Sequence, residues 1–383
     1  MTSDDLPIGR RVARWRVRRS MIQQQLADRL RRSKSWVDKV ERGVRALDRY
    51  SVIQELADVL RVDPEVLLGQ QPQRTPVGAL DGVDDIRAAL ARYDTPHATQ
   101  QTTEEARRQV GYAWLTYQHA HYAQLMRVLP SLLDVVQGAR SPEVRVQTYR
   151  ITSALLVKLG EADLGWLAAD RAMAAAGDDP ALAATAAVSV GQALRASGRD
   201  RLALAATLAV ANRVRPQRSA GEWAVGGTLL LQAALAAAGC GEHRRADELT
   251  DRAAGVAAHL PGYDDQHRTS FGPVAVELAR VLVAAQRGDA DEAVRRHVSV
   301  VRRDGWRRLP AEHRGAYLLD AAGAYLHIGD LRGAARALVD ADSVSPAEVR
   351  CRPLARTLIA DVARAQPAPA GVTRLATLVG LTR

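Results

Sequence analysis

The strongest constraint on this 383-residue chain is a glycine pattern that occurs five times between residues 160 and 334. Successive glycines stand 38, 43, 47 and 41 residues apart, and a charged residue follows each: Gly160, Gly198, Gly241, Gly288 and Gly329. Five positions after each glycine is a small residue: Gly165, Ala203, Ala246, Ala293 and Ala334. Because glycine commonly ends a helix, the pattern predicts stacked helical hairpins whose helices cross closely at the small residues.

This pattern resembles that of the tetratricopeptide (TPR) family, with helices longer than those of the minimal repeat. Pro346 and, less closely, Pro216 stand near the position of that family's closing proline. We expect a sixth unit over 104–138 with Ala123 as its small residue, and capping helices at 346–365 and 371–381. The resemblance implies a TPR-like α-solenoid over 103–383, and a non-repeating helical bundle is the alternative.

In TPR arrays the first helix of each pair lines a concave face, which commonly binds extended peptides. If the first helix of each pair in this chain also lines a groove, polar residues face that groove in the early units and leucines face it in the later units. The polar candidates are Gln147, Arg150, Lys158, Thr185, Gln192 and Arg195, and the apolar ones are Leu231, Leu235, Leu278 and Leu319. Such a groove suits a short peptide or a small molecule of mixed character. Alternatively, the polar residues face solvent.

The net charge of +10 is concentrated near the N-terminus. Residues 10–49 contain fourteen Arg and Lys against four Asp and Glu, whereas the rest of the chain has 39 of each sign. A local basic excess of this kind points to a polyanionic partner, most often nucleic acid. A solvated basic bundle without a DNA partner is the alternative.

Residues 8–68 are predicted to form five short helices, the last at 64–68. The pair at 23–30 and 33–42 has the layout of a helix-turn-helix, with Ala27 where the two helices cross. Ser33 is the expected N-cap of the second helix and Gly43 its stop. The outward residues near the start of this helix are placed to enter a major groove.

Four segments carry a resemblance to the Cro/C1-type (XRE) DNA-binding domain: Ile8-Gly9-Arg10, Gln23-Gln24-Gln25-Leu26-Ala27, Ser33-Lys34-Ser35-Trp36-Val37 and Val40-Glu41-Arg42-Gly43. The resemblance implies that Gln23 contacts a phosphate and that Lys34, Ser35 and Lys39 face base edges. It also implies that Arg42 and the following loop, with Arg45, grip the DNA backbone. Trp36 is expected either to touch a thymine methyl or sugar or to pack on a neighbouring helix.

Two positions depart from the usual pattern of that family. Ile22 replaces the threonine that precedes the first glutamine, and it cannot cap the helix. Arg31 replaces the glycine of the turn, so it needs a left-handed conformation costing about 1 kcal/mol, or a slightly different turn.

Residues 69–102 are predicted to be a linker with a short helix near 83–93. An XRE-type domain followed by TPR repeats resembles the RRNPP class of bacterial regulators, in which a peptide in the TPR groove changes DNA binding. This implies a cytoplasmic, homodimeric transcription regulator that binds an inverted-repeat operator and senses a ligand, with a short peptide preferred. The alternatives are a regulator sensing a small molecule and a protein-interaction scaffold that uses DNA only as a tether.

No segment of the sequence has the layout of a catalytic or cofactor site, so we expect neither an enzyme nor a cofactor. His119 and His121 are two residues apart, which suits a shared metal poorly, and the histidines at 259 and 267 are expected to lie in a polar loop with Asp264 and Asp265. Cys240 and Cys351 form no disulfide framework, which favours a reducing compartment. The apolar run at 228–238 is too short to cross a membrane and is predicted to be a buried helix.

Overall fold

The structure, a computed structural model, describes residues 7–19, 21–45, 47, 50–60, 62, 67, 81–92, 102–139, 141–214, 219–260, 267–365, 368–369 and 371–381. All regular secondary structure in these ranges is helical, which confirms the all-α class. The chain divides into two compact units, residues 1–75 and 76–383.

The first unit contains four described helices: α1 (Ile8–Arg18), α2 (Gln23–Arg29), α3 (Lys34–Glu41) and α4 (Tyr50–Leu60). Its core is formed by apolar residues at helical spacing, among them Val12, Leu26, Val37, Ile53 and Leu56, each at most 1% exposed. The predicted fifth helix at 64–68 and the predicted linker segment at 69–78 lie outside the described residues, except for Leu67, which is helical and buried.

The second unit begins with seven helices: α5 (Asp81–Ala91), α6 (Thr103–Gln118), α7 (Tyr122–Gln137), α8 (Pro142–Lys158), α9 (Ala162–Ala176), α10 (Pro180–Ala196) and α11 (Asp200–Ala211). It continues with α12 (Ala220–Gly239), α13 (His243–Ala258), α14 (Pro273–Gln286), α15 (Ala290–Val300), a 3₁₀ turn (Asp304–Arg308), α16 (Ala311–His327) and α17 (Leu331–Val344). It ends with α18 (Pro346–Cys351), α19 (Pro353–Ala363) and α20 (Val372–Leu378). From α6 onward each helix packs on the next, as a helical-repeat solenoid requires, whereas α5 packs on α7.

The five repeated glycines each lie between the two helices of a hairpin, with φ between +69° and +87°. A side chain is strained in this left-handed region, so the turn selects glycine. Ala203, Ala246, Ala293 and Ala334 are fully buried where the paired helices meet. In the sixth unit, formed by α6 and α7, the turn residue is instead Ala120, with φ of 58°.

The C-terminal helices differ from the prediction in two ways. The helix predicted over 346–365 is interrupted at Arg352, because Pro353 cannot donate the hydrogen bond that would continue it, and α19 begins there. These helices also do more than cap the last repeat. Ala347 and Cys351 pack against the apolar cluster of the first hairpins, and a Cβ on Gly160 would lie 2.8 Å from Pro353 Cγ. The helical array therefore closes on itself.

The apolar run at 228–238 lies within α12 and is buried, as predicted. Across the described part of the chain, no helix has the length and apolar character needed to span a bilayer.

Candidate recognition helix and internal ligand cavity

The turn between α2 and α3 has the geometry of a helix-turn-helix. Arg31 adopts the left-handed conformation, with φ of 53°, and the N–H of Arg32 donates to the carbonyl of Ala27 at 2.9 Å. The Ser33 hydroxyl then accepts the N–H of Trp36 at 3.1 Å and caps α3, as predicted. Ile22 provides no side-chain cap for α2, and the Gln25 side chain accepts the Ile22 N–H instead.

A glycine allows α1 to approach the end of α3 closely. A Cβ on Gly9 would overlap the carbonyl oxygen of Val40 and would stand 3.4 Å from that of Glu41. Only a residue without a side chain fits this crossing, which accounts for the glycine in the Ile8-Gly9-Arg10 segment. The orientation of α3 is therefore fixed by backbone-to-backbone packing.

A buried carboxylate joins the first three helices. Both Glu41 oxygens accept hydrogen bonds from Arg16, at 2.6 and 3.0 Å, and the Gln23 amide donates to Glu41 at 2.8 Å. Gln23 is therefore part of an internal hydrogen-bond network. The second hydrogen of its side-chain amide could still donate to a DNA phosphate. This network holds the start of α2 against the end of α3.

The remaining predicted DNA contacts lie on the surface of α3 and the loop that follows it. Lys34, Ser35 and Lys39 are exposed, and neither lysine forms a salt bridge with any described residue. Arg42 is also exposed but pairs with Asp38 at 2.7 Å. Exposed lysines without protein partners on a capped helix are suited to meet phosphates or base edges.

Trp36 is half-buried, and two guanidinium groups lie near its ring. The Arg32 and Arg45 Cζ atoms stand 5.7 and 6.0 Å from its ring centroid, within the range of cation–π attraction. The predicted backbone contact Arg45 is thus positioned beside the recognition helix by the indole.

The second unit contains a partly open cavity of about 480 Å³. Of the predicted ligand residues, Arg150, Lys158, Gln192 and Arg195 line it, together with the predicted apolar residues Leu231, Leu235 and Leu278. Gln147 is behind the wall and accepts a hydrogen bond from Arg150 at 3.0 Å. Thr185 and Leu319 are fully buried in the core, so their prediction as groove residues is wrong.

One part of the cavity wall is an ionic cluster at the point where the array closes. Lys158 Nζ lies 3.0 Å from Glu312 and 2.8 Å from Glu348, and Arg352 lies 3.1 Å from Glu348. The Tyr122 hydroxyl also donates to Glu348. Burial alone would raise the pKa of Glu348, but Lys158 and Arg352 hold that pKa below its usual value, so the carboxylate stays charged.

A loop that the sequence reading missed forms another part of the wall. Residues 268–271 line the cavity, and Arg268 and Ser270 have φ of 57° and 52°. The carbonyl of His267 accepts from Arg150 at 3.1 Å, and Phe271 fills the space left by the absent side chain of Gly227. The segment has no helical periodicity, so a pattern search for repeats passes over it.

The neighbouring histidines His119 and His121 lie side by side. The His119 and His121 rings are stacked 5.9 Å apart, and burial lowers the pKa of His119 to about 3 and that of His121 to about 4. Among the described residues, no group of three or more His, Cys, Asp or Glu side chains could hold a metal ion. Asp264 and Asp265, predicted to lie in a polar loop, fall outside the described residues.

Comparison with known proteins identifies the class of the first unit. Residues 7–68 match the family model described as a helix-turn-helix domain, so the chain carries such a domain at its N-terminus. Among solved structures, it is similar to Bacillus thuringiensis PlcR in complex with the peptide PapR7 and DNA, at 11% identity and a TM-score of 0.38, over 77% of this chain and 94% of that one. That TM-score is too low to equate the two folds. No curated protein matched the sequence.

Proposed function

We propose that this protein is a sequence-specific DNA-binding transcription regulator whose helical-repeat unit senses a ligand. The exposed face of α3 is the observation that supports DNA binding. Lys34 and Lys39 have no salt-bridge partners among the described residues, and α3 is held firmly by its Ser33 cap and by the packing of Gly9. The basic excess of residues 10–49 would add sequence-independent attraction to phosphates.

The regulator would act as a homodimer. A single helix-turn-helix unit buries too little DNA surface for strong specificity, and paired units reading half-sites about one helical turn apart are the usual solution. The operator would then be an inverted repeat, with Lys34, Ser35 and Lys39 of each α3 reaching base edges and Gln23, Arg42 and Arg45 the backbone.

The cavity supports the second part of the proposal. Its volume of about 480 Å³ lies within the range of about 300–1,000 Å³ typical of small-molecule sites. Side chains from several hairpins line this cavity. This favours a small molecule, or a peptide of very few residues, over a longer peptide extended along an open concave face.

Ligand binding can change operator affinity only by favouring one conformation of the protein over another. Lys158 and Glu312 line the cavity, and Lys158 also joins the two ends of the array through its salt bridge to Glu348. A ligand in the cavity would therefore act on the contacts that hold the array closed.

In vitro selection of binding sites from random duplex DNA tests DNA reading. The wild type should enrich an inverted-repeat motif, and the Lys34→Ala/Lys39→Ala variant should retain only weak, salt-sensitive binding without a motif. Arg364→Ala is the matched control, because it removes an exposed cation from the second unit. Enrichment of the same motif by the double variant, or of none by the wild type, would contradict the proposal.

A further inference from the structure

Two oppositely charged side chains line the cavity without forming a salt bridge. Arg195, near the end of α10, donates one hydrogen bond, from Nη1 to Gln232 at 3.0 Å, and its Nε is buried with no partner in the described structure. Asp320, in the middle of α16, has neither a hydrogen bond nor a salt bridge to any described residue. A buried guanidinium nitrogen without a partner is costly, and a half-buried carboxylate without one adds to that cost, so the pair calls for an explanation.

Neighbouring charges do not offset the cost of burying Arg195 and Asp320. Burial lowers the pKa of Arg195 despite the attraction of Asp320 and Asp200. Burial likewise raises the pKa of Asp320 despite the attraction of Arg352, Lys158 and Arg195. The strongest of these partners, Arg352 and Lys158, are already committed to Glu348, and Lys158 also to Glu312.

Arg195 and Asp320 therefore present a donor and an acceptor to the same cavity without forming a salt bridge with each other. This arrangement fits a ligand that carries both an anionic and a cationic group. The Gln192 amide, which has no hydrogen-bond partner among the described residues, also faces the cavity and could assist either group.

We infer that the cavity binds a compact zwitterion of the amino-acid type, with its carboxylate against Arg195 and its ammonium against Asp320. Leu231, Leu235 and Leu278 provide an apolar wall in the same cavity, which suits an aliphatic or aromatic side chain. A dianion such as phosphate would face the Asp320 carboxylate, and a polycation would face Arg195. This inference rests on the proposed ligand site and names the chemistry of its occupant.

The test measures thermal stabilisation of the full-length protein by three pools of compounds. The first pool contains the twenty standard L-amino acids, the second their N-acetyl derivatives, and the third their methyl esters. Acetylation removes the ammonium and esterification the carboxylate, while the side chains stay the same. A ligand that binds only the folded state raises its melting temperature, so the free amino acids alone should do so.

Calorimetric titration of the amino acid that stabilises most then tests the two residues. Arg195→Gln and Asp320→Asn should each weaken its affinity at least about tenfold, since each removes a charge-assisted hydrogen bond. Asp320→Asn should fold at least as stably as the wild type, because it removes an unpaired charge, so loss of binding cannot be assigned to misfolding. Arg364→Ala, which removes an exposed cation outside the cavity lining, should bind normally.

No stabilisation by the free amino acids, equal stabilisation by a blocked pool, or unchanged affinity in both variants would overturn the inference. None of these results bears on the DNA motif found by selection, so the DNA-reading proposal would survive them. Conversely, if an amino acid binds through Arg195 and Asp320 but leaves operator affinity unchanged, the inference stands and the proposed ligand control of DNA binding fails.

Discussion

Lys158 at the end of α8 and Glu348 in α18 form a buried salt bridge of 2.8 Å that joins the start of the helical array to its end. Glu348 has no exposed surface, and it also meets Arg352 and the Tyr122 hydroxyl. We call Lys158, Glu348, Arg352 and Tyr122 the closing cluster.

Lys158→Met should lower the free energy of unfolding by about 3 kcal/mol or more, because it leaves Glu348 with an incompletely compensated buried charge. Chemical denaturation measures this change. Lys158→Met combined with Glu348→Gln should recover part of the loss, since the uncompensated charge is then gone. The control is Arg244→Ala, which breaks an exposed salt bridge to Glu248 and should cost less than about 1 kcal/mol. Equal effects of the two single variants would contradict a structural role for the closing cluster.

Gly9→Ala should destabilise the first unit by about 2 kcal/mol or more, because the added methyl group would push α1 away from the Val40 carbonyl. DNA affinity should fall with it, since α3 loses its fixed orientation. Gly255→Ala is the matched control: this glycine lies exposed within α13 with no atom near its absent Cβ. The control should gain about 0.5–1 kcal/mol, and the prediction fails if both variants shift stability in the same direction.

Arg31→Gly should stabilise the first unit by about 1 kcal/mol, because glycine adopts the left-handed conformation at this turn without strain. The neighbouring substitution Arg32→Gly removes a cation of the same kind at a position without positive φ, and it should not stabilise. Thermal unfolding of the two variants separates the effects of backbone strain and charge. An unchanged or lower melting temperature for Arg31→Gly would contradict the turn geometry.

Acidification should destabilise the second unit through its buried histidines. Burial lowers the pKa of His297 to about 4 and that of His119 to about 3, whereas unfolded histidine has a pKa of about 6.5. The unfolded chain therefore binds more protons below pH 6.5, and the stability present above that pH is lost as the pH falls. His297→Gln should reduce the slope by up to about 1.4 kcal/mol per pH unit between pH 6 and about 4.5.

The measurement is urea denaturation across this range of pH. His327→Gln serves as the control, because His327 is exposed and lies on the same helix as Tyr317, the hydrogen-bond partner of His297. The control should keep the wild-type slope. An equal slope for wild type and His297→Gln would show that His297 does not contribute.

The parts of the fold that depend on local sequence could be predicted. The five turn glycines, the small residues at helix crossings and the Ser33 cap each act within a few residues, so their spacing reveals them. Arg150, Lys158, Gln192 and Arg195 reach the cavity wall because helical periodicity determines which face they occupy. Their binding role remains a prediction.

Features that depend on distant contacts could not be predicted. Closure of the array depends on Glu348 meeting Tyr122 and Lys158, and no local pattern links those positions. The position of Asp320 on the cavity wall was not predicted, because a single acidic residue within a helix is typical of a solvent-exposed side chain. Thr185 and Leu319 were predicted to face the groove because the positions that line it were taken from the shorter TPR repeat. In the longer, closed array of this chain the same positions are buried.

The central claim is that this protein reads specific DNA sites through α3 and that its cavity controls that reading. Genome-wide footprinting of the tagged wild type, the Lys34→Ala/Lys39→Ala variant and Arg195→Gln tests it most directly. The account predicts sharp inverted-repeat sites that vanish in the double variant and whose occupancy changes in Arg195→Gln under the same growth conditions. Diffuse or absent sites in the wild type, or sites that persist unchanged in both variants, would contradict it.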